Sequence, residues 1–379
     1  MTQTYHTPNY AKFFFVVAVV AAIIEVVVII SGMNKINNLP YASPAKQENI
    51  LANSELHIQL IPPSEKMRLF YGDHWTIYLD GTIDLSAPER LERLLIENSI
   101  GHGSVYLNSP GGNLAAGIRL GRLFRKHGLP THIGKLDGIE KTSGQCLSAC
   151  PFAFVGGYFR YLDINSVLGV HRFTSETTSP SDIVIAQVAS GEITSYLSEM
   201  GVDSAFFGKM TRIDNDDIYQ LSVDEAENWM VANNGRQPAQ WSIELVKKAL
   251  YLKGEQKAWY GTGKSIFLCD KGRIFFTPMY EAGLNADNII NNTIRHSLRI
   301  GEKNFPIELS AGDLENINGY VTGSFYLNET QLEYVRNAES IGYAAHPGNP
   351  GIFWGFNVDV RTNKEKIRNF LASCDLLAY

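Results

Sequence analysis

The sequence predicts an α/β protein: a layered body of alternating strands and helices, preceded by one transmembrane helix and followed by a smaller β-rich domain. Three observations lead to this prediction. An apolar run fills the N-terminal region, strands and helices alternate through the middle of the chain, and the final part consists of short strands separated by turn residues. With 379 residues, of which 45% are apolar, the chain can bury one large core or two ordinary ones.

The N-terminal segment from Phe13 to Ile30 is apolar except for Glu25, and it is long enough to cross a bilayer as a helix. No small-residue cleavage site follows it, so we interpret residues 1–32 as a short tail with an uncleaved signal anchor. Residues 33–56 are polar and rich in Pro and Asn, which is typical of a tether. Lysines flank the run almost evenly, and the short tail favours an N-terminus inside the cell and a folded body outside the cytoplasm.

The folded body is assigned to residues 57–236. It opens with the strand TIYLDGTID and a helix marked by the spacing of Leu91, Leu94 and Leu95. A second strand ends in the turn LNSPGG, and the amphipathic segment LAAGIRLGRLFRKHG follows it. Because strand, helix and strand alternate in this rhythm, we expect parallel strands joined by right-handed crossovers.

Two later regions complete the chain. A long helix is expected from Pro180 to about Met200, because Ser179 is a suitable N-cap and proline suits the first helical position. Residues 237–379 contain short strands such as SIFLCDKGRIFFTPM and end in the helical segment KEKIRNFLASC. We therefore expect a β-rich C-terminal domain, whose role the sequence does not indicate.

The four cysteines are an even number, which suits an exported domain in an oxidising compartment. Cys269 and Cys374 lie far apart in the chain, and we predict that they form a disulfide that closes the C-terminal region. Cys146 and Cys150 are one residue further apart than in a C-x-x-C redox motif. A packing role or a local disulfide, which would hold the turn around Ser148, is therefore favoured over a catalytic role.

A glycine turn, a serine and a histidine follow one another along the chain, and together they suit a serine nucleophile with its base. Gly111 and Gly112 end a strand, where backbone N–H groups can bind a developing negative charge without interference from a Cβ atom. Ser148 precedes an apolar run in which Pro151 suits the first turn of a helix, so that the helix dipole favours negative charge near the hydroxyl. His171 ends the apolar stretch SVLGV and supplies the base that a serine nucleophile needs.

From about Thr76 to Asn233 the chain resembles the Clp protease proteolytic subunit (ClpP) and its crotonase-like relatives. The matching motifs are TIYLDGTID, LNSPGG, GQCLSAC and GVHRF. The resemblance implies that Ser148 is the nucleophile and His171 the general base. It also implies an oxyanion hole formed by the backbone of three residues: Gly111, Gly112 and Ala149.

The C-x-S-A-C frame on a chain with an apolar N-terminal run is similar to membrane-anchored, periplasmic ClpP-like proteins of bacteria. This likeness implies a single-pass protein of the bacterial inner membrane, with its catalytic domain on the periplasmic side. It also implies a homo-oligomer with contacts along the long helix after Pro180, and peptide or protein substrates.

The third member of the triad is expected in the segment RIDNDDIYQLSVDEAENW. In the family a carboxylate stands just before an aromatic residue and a Leu-Ser pair, and here the same run contains one extra residue. Asp217 fits the pattern best, with Asp216 and Asp214 as alternatives, and it would accept the Nδ1–H of His171. Arg172, beside His171, is expected to pair with an acidic neighbour.

Composition excludes some classes of function and leaves others open. The formal net charge of −6 provides no basic surface for nucleic acid, and no Cys/His cluster has the spacing of a metal site. We expect no cofactor. An esterase or thioesterase on the same fold, and a catalytically silent scaffold that binds a partner through residues 237–379, are the alternatives to a serine peptidase.

Overall fold

The computed structural model describes the chain over most of its length. The described ranges are residues 55–172, 180–214, 217–246, 249–307, 314–348 and 352–376. The chain divides into two compact units, of which the first ends at Asn234 and the second begins at Gly235. Each unit has its own hydrophobic core.

The predicted fold is wrong in one component, the transmembrane helix. No helix within the described ranges is long and apolar enough to cross a membrane. The longest described helix, Pro180–Glu199, is interrupted by Ser, Asp, Gln, Thr and Glu side chains, which an apolar span excludes. The predicted tail and anchor (1–32) and the tether up to residue 54 lie outside the described residues.

Strands and helices alternate along the first unit. Its strands are β1 (His57–Ile61), β2 (His74–Asp80), β3 (His102–Asn108), β4 (Thr131–Ile133), β5 (Lys135–Asp137), β6 (Glu140–Thr142), β7 (Gln145–Leu147), β8 (Arg160–Tyr161), β9 (Val167–Val170) and β10 (Tyr219–Gln220). Its helices are α1 (Glu65–Tyr71), α2 (Ala87–Glu97), α3 (Leu114–Lys126), α4 (Cys150–Phe154), α5 (Pro180–Glu199), α6 (Ser204–Met210) and α7 (Val223–Asn228).

Two larger sheets and a two-stranded one, β5-β6, organise the strands described in this unit. The larger has the order β1-β2-β3-β4-β8, in which β2, β3, β4 and β8 run parallel and β1 pairs antiparallel with β2. The smaller has the order β10-β9-β7, with β7 and β9 parallel. The alternation of strands and helices in the sequence thus produces parallel pairing. Each crossover helix returns the chain to the end of the sheet at which the previous strand began, so the next strand runs in the same direction.

Helices α2 and α3 illustrate how the apolar spacing is used. Leu91 and Leu95 of α2 are buried and lie one turn apart on the face that contacts the core. Helix α3 begins after Asn113, whose side chain accepts a hydrogen bond from the N–H of Ala116 at 2.9 Å. The structure also gives α5 the start that the sequence predicts, Pro180, whereas Ser179 lies outside the described residues.

Glycines on one face of α3 bring this helix unusually close to α4. A Cβ atom on Gly117 would lie 2.6 Å from the carbonyl oxygen of Ala149, and one on Gly121 would lie 2.6 Å from that of Phe152. The glycines are four residues apart, so they share a face of the helix. Their lack of side chains sets the position of α4, the helix that directly follows Ser148.

The second unit is mainly antiparallel β-structure. Its strands are β11 (Gln240–Val246), β12 (Ala249–Ala258), β13 (Gly261–Asp270), β14 (Arg273–Glu281), β15 (Arg295–Ile300), β16 (Lys303–Ile307), β17 (Glu315–Ile317), β18 (Tyr320–Thr322), β19 (Phe325–Tyr326), β20 (Ser340–His346) and β21 (Trp354–Asp359). A 3₁₀ turn (Gly283–Asn285) precedes α8 (Ala286–Asn292), and α9 (Glu329–Arg336) and α10 (Lys364–Leu376) follow.

A seven-stranded and a four-stranded sheet form this unit, and aromatic residues fill its core. Phe267 and Phe276 are fully buried and their ring centroids lie 4.9 Å apart. The predicted disulfide between Cys269 and Cys374 is present, with the two Cα atoms 5.5 Å apart. It ties the end of β13 to α10, and so joins the sheet to the last helix of the chain.

Candidate active site

Ser148 occupies the short connection between β7 and α4 in a backbone conformation that side chains rarely adopt. Its φ angle is 59°, in the left-handed region, where a residue with a Cβ atom is disfavoured by about 1–2 kcal/mol. Its N–H donates to the carbonyl oxygen of Gly169 at 3.0 Å. A partly buried serine held in a disfavoured conformation is typical of a functional site.

His171 faces this serine directly. The imidazole Nε2 lies 2.8 Å from Ser148 Oγ, and Nδ1 lies 2.7 Å from the carbonyl oxygen of Arg172. Because a carbonyl oxygen can only accept a hydrogen bond, we infer that Nδ1 carries the proton of the neutral ring. Nε2 is then free to accept the hydroxyl proton of Ser148, as a general base must.

The parallel pairing of β7 with β9 explains why serine and histidine meet. Leu147 pairs with Gly169, so the carboxyl ends of the two strands lie side by side. Ser148 follows the first strand, and His171 follows the second. Residues that lie apart in the sequence are thereby brought to one edge of the small sheet.

Gly111, the first glycine of the LNSPGG turn, does not offer its N–H as predicted from the sequence. The N–H of Gly111 donates to Ser109 Oγ at 3.1 Å, so it is not available to a substrate. A Cβ atom on Gly111 would lie 2.6 Å from the Cβ atom of Ser148. We therefore correct its role: Gly111 leaves room for the nucleophile, and its N–H belongs to the turn.

Gly112 and Ala149 provide the free donors near Ser148. The N–H of Ile83 donates to the carbonyl of Gly111 and the carbonyl of Ile83 accepts from the N–H of Asn113, so the N–H of Gly112 points away from Ile83. Among the residues that the structure describes, the N–H groups of Gly112 and Ala149 have no acceptor. Two free backbone donors, one following the nucleophile and one in the adjoining turn, are what an oxyanion hole requires.

The far end of α4 is fixed by buried polar side chains. Arg160 Nη1 donates to the carbonyl oxygen of Val155 at 3.0 Å, and the hydroxyl of Tyr196 donates to that of Phe152 at 2.5 Å. Burial lowers the pKa of Arg160 to about 10, which leaves it cationic at neutral pH. A cation at the carboxyl end of a helix is favourable, so Arg160 stabilises α4. The hydrogen bond from Tyr196 holds the same helix, which follows the connection that contains Ser148.

The acidic segment lies beside the histidine, but its described carboxylates do not reach the imidazole. Asp214 pairs with the guanidinium of Arg172 at 2.9 Å, as expected for an exposed arginine. Asp217 is exposed, and within the described ranges no hydrogen bond or ion pair joins its carboxylate to His171. Asp216 lies outside the described residues. The acceptor at Nδ1 of His171 is the backbone carbonyl of the next residue, Arg172.

Replacing Asp217 by asparagine is expected to slow the labelling of Ser148 by a fluorophosphonate less than tenfold, since the carboxylate does not contact the imidazole. Loss of a true triad aspartate reduces the rate by about 10⁴-fold. The test is the second-order rate constant of labelling, with Asp214→Asn as the matched control that removes the ion pair of Arg172. A loss approaching 10⁴-fold in Asp217→Asn alone would restore Asp217 as the third triad member.

The two cysteines around the serine are bonded to each other. Cys146 and Cys150 form a disulfide, with Cα atoms 5.0 Å apart, and both residues are fully buried. Of the two alternatives that the sequence left open for this pair, the structure selects the local disulfide. No thiol is therefore available for nucleophilic chemistry at this turn.

Sequence reasoning missed two contacts at the site. Arg172 and Ser109 stand in the motifs GVHRF and LNSPGG, but nothing in these motifs shows that the Arg172 carbonyl faces Nδ1 of His171 or that the Ser109 hydroxyl accepts from the N–H of Gly111. Within the described ranges, no group of three or more His, Cys, Asp or Glu side chains could hold a metal ion. The groups that the site brings together are a hydroxyl, an imidazole and backbone N–H groups.

Comparison with known proteins gives likenesses of structure alone. No protein family model and no curated protein matches the chain. A variant of the 1510-N membrane-bound stomatin-specific protease is similar, with 16% identity over 41% of this chain and 75% of that chain and a TM-score of 0.31. For ClpP1 from Listeria monocytogenes the identity is 20% over 42% of this chain and 88% of that chain, with a TM-score of 0.32.

A third similar structure is the invasion associated protein b from Bartonella henselae, with 12% identity over 36% of this chain and 94% of that chain and a TM-score of 0.27. The solved structures to which this chain is similar thus include a ClpP and a second protease.

Proposed function

We propose that the first unit is a serine hydrolase in which Ser148 is the nucleophile and His171 the general base. The observation on which this proposal depends is the 2.8 Å contact between Nε2 of His171 and Oγ of Ser148. The free N–H groups of Gly112 and Ala149 add the donors that a developing oxyanion needs. Together these groups support acyl transfer.

The reaction proceeds in two halves. Oγ of Ser148 attacks the substrate carbonyl carbon while Nε2 of His171 takes the hydroxyl proton, and the carbonyl oxygen becomes an anion bound by Gly112 and Ala149. The bond to the leaving group then breaks as the imidazolium returns the proton to it. In the second half, a water molecule attacks the carbonyl carbon of the acyl-enzyme while Nε2 of His171 takes its proton. The bond to Oγ then breaks and the imidazolium returns the proton to Oγ, so Ser148 and the neutral imidazole are regenerated. The Arg172 carbonyl keeps Nδ1 protonated throughout.

The substrate class that we propose is a peptide. It comes from the resemblance of the LNSPGG turn and the serine motif to ClpP, and we expect the peptide to lie extended beside this turn. An extended segment can add its backbone hydrogen bonds to a sheet edge. An ester or thioester substrate would use the same groups, and comparison of matched peptide and ester substrates separates these possibilities.

The decisive experiment is labelling of the purified full chain with a fluorophosphonate, followed by mapping of the adduct by mass spectrometry. We expect one adduct, on Ser148, and none in Ser148→Ala. Ser143→Ala is the matched control, because Ser143 is an exposed serine in the segment that leads to the site. Absence of any adduct in both concentrated and dilute protein would overturn the proposal and favour the scaffold alternative.

We also propose that the folded units work in an oxidising compartment outside the cytoplasm. All four cysteines of the chain are in disulfides, and such bonds persist chiefly in oxidising compartments. Protein taken from its native host with free thiols blocked at lysis should therefore release four new thiols on reduction. Thiols that are already blocked before reduction would contradict this location.

A further inference from the structure

The disulfide between Cys146 and Cys150 encloses the candidate nucleophile. Cys146 is in β7 and Cys150 is the first residue of α4, so the bond joins the strand before Ser148 to the helix after it. Both cysteines have no exposed surface. The three residues between the two cysteines are Ser148 and its neighbours, Leu147 and Ala149.

This short connection has to hold two groups in place at once. The left-handed φ of Ser148 directs its hydroxyl to Nε2 of His171, and the next residue, Ala149, presents its free N–H. Hydrogen bonds fix the strand side, because Leu147 donates to Ser109 and Ser148 donates to Gly169. On the helix side, the carbonyl of Ala149 accepts one long hydrogen bond, from the N–H of Phe152 at 3.3 Å, and the N–H of Ala149 has no protein acceptor in the described part of the chain.

We infer that the Cys146–Cys150 disulfide is a positioning element of the active site, and that Ser148 is fully reactive only while this bond is intact. The inference rests on the proposed function. The bond restrains the Cα atoms on both sides of Ser148, and so resists its relaxation to the right-handed conformation that an L-residue prefers. Relaxation would turn Oγ from the imidazole and the N–H of Ala149 from the oxyanion.

The second disulfide provides a contrast within the same chain. Cys269 and Cys374 are separated by 105 positions, against 4 for Cys146 and Cys150. A disulfide stabilises a fold more when it closes a longer loop of the unfolded chain. The long-loop bond should therefore matter more for stability, and the short-loop bond should matter for reactivity.

The experiment uses the full chain in three forms: the wild type, Cys146→Ala/Cys150→Ala and the matched control Cys269→Ala/Cys374→Ala. The second-order rate constant of fluorophosphonate labelling is measured beside thermal unfolding. We expect labelling to fall about 10²-fold in the first double variant, the size of effect that a misplacement of about 1 Å produces. The control should label within about twofold of the wild type at a temperature where it is folded.

A second measurement keeps every side chain of the site in place. In the Cys269→Ala/Cys374→Ala background the one remaining disulfide can be reduced with a phosphine in mild denaturant, which is then removed. The phosphine is oxidised to its oxide with oxygen from water, and the two sulfur atoms each gain a proton. We expect slow labelling after reduction and recovery of the rate after reoxidation by a disulfide such as oxidised glutathione.

The outcomes separate the inference from the function on which it rests. Labelling of folded, reduced protein within about twofold of the oxidised form would overturn the positioning role and leave the hydrolase proposal intact. Failure of the oxidised wild type to label would refute the hydrolase proposal itself. A rate that falls on reduction and returns on reoxidation, with an unchanged circular dichroism spectrum, establishes the positioning role, because general unfolding would change the spectrum.

Discussion

Replacement of His171 by alanine is expected to lower the rate at which Ser148 is acylated by about 10⁴-fold or more. Loss of the histidine base from a Ser/His pair has an effect of this size in enzymes that use such a pair. The physical reason is the contact of 2.8 Å between Nε2 and Oγ. Without an acceptor at that distance, the hydroxyl must lose its proton to water. This transfer is unfavourable because a serine hydroxyl is a very weak acid at neutral pH.

The measurement is the second-order rate constant of fluorophosphonate labelling, followed over a long time course so that slow rates are quantified. His102→Ala is the matched control, because His102 is an exposed histidine at the start of β3. Thermal unfolding of both variants shows whether the fold is kept. A change of less than tenfold in His171→Ala would mean that another group removes the proton, and the proposed mechanism would be wrong.

Removal of the Cys269–Cys374 disulfide is expected to lower the free energy of unfolding of the second unit by about 4–5 kcal/mol, the value for a closed loop of roughly 100 residues. The bond spans 105 positions. Without it, α10 is held to the sheet by the burial of apolar side chains such as Ile367 and Leu371. This loss is a large part of the 5–15 kcal/mol by which a domain is ordinarily stable.

The loss is measured by denaturant unfolding of Cys269→Ala/Cys374→Ala, with hydrogen exchange on peptides from β13 and α10 to assign it to the second unit. The short-loop variant Cys146→Ala/Cys150→Ala is the control, and its exchange in the second unit should match the wild type. A decrease below about 1 kcal/mol would show that packing alone holds α10, and that the bond adds little to the fold.

The helices of the first unit could be predicted because they depend on local sequence. The spacing of Leu91 and Leu95 and the proline at residue 180 mark α2 and α5, and both helices are found. The pairing of Ser148 with His171 could be inferred from the order of the motifs. For α2 the periodic apolar spacing determines the outcome, and for α5 the proline, a residue of restricted conformation, does so.

What could not be predicted is the direction of the backbone groups. The N–H of Gly111 donates to Ser109, and the Arg172 carbonyl occupies the position expected for Asp217 at Nδ1 of His171. Every residue carries these groups, so no side-chain pattern identifies them. Each of these contacts joins close neighbours in the sequence, and its direction depends on the local backbone conformation, which is seen only in three dimensions.

The close approach of α3 to α4 has a consequence for attempts to improve this protein. Exchange of glycine for alanine within helices is a common route to greater stability, worth about 0.4–1 kcal/mol where the new methyl group fits. It suits Gly191 and Gly208, where a Cβ atom would meet nothing within 4 Å. At Gly117 the methyl group would press on the Ala149 backbone, so a consensus-driven helix optimisation would displace the residue next to the nucleophile. Poor helix formers on this face are thus a requirement of the candidate active site, and stabilising design should begin elsewhere.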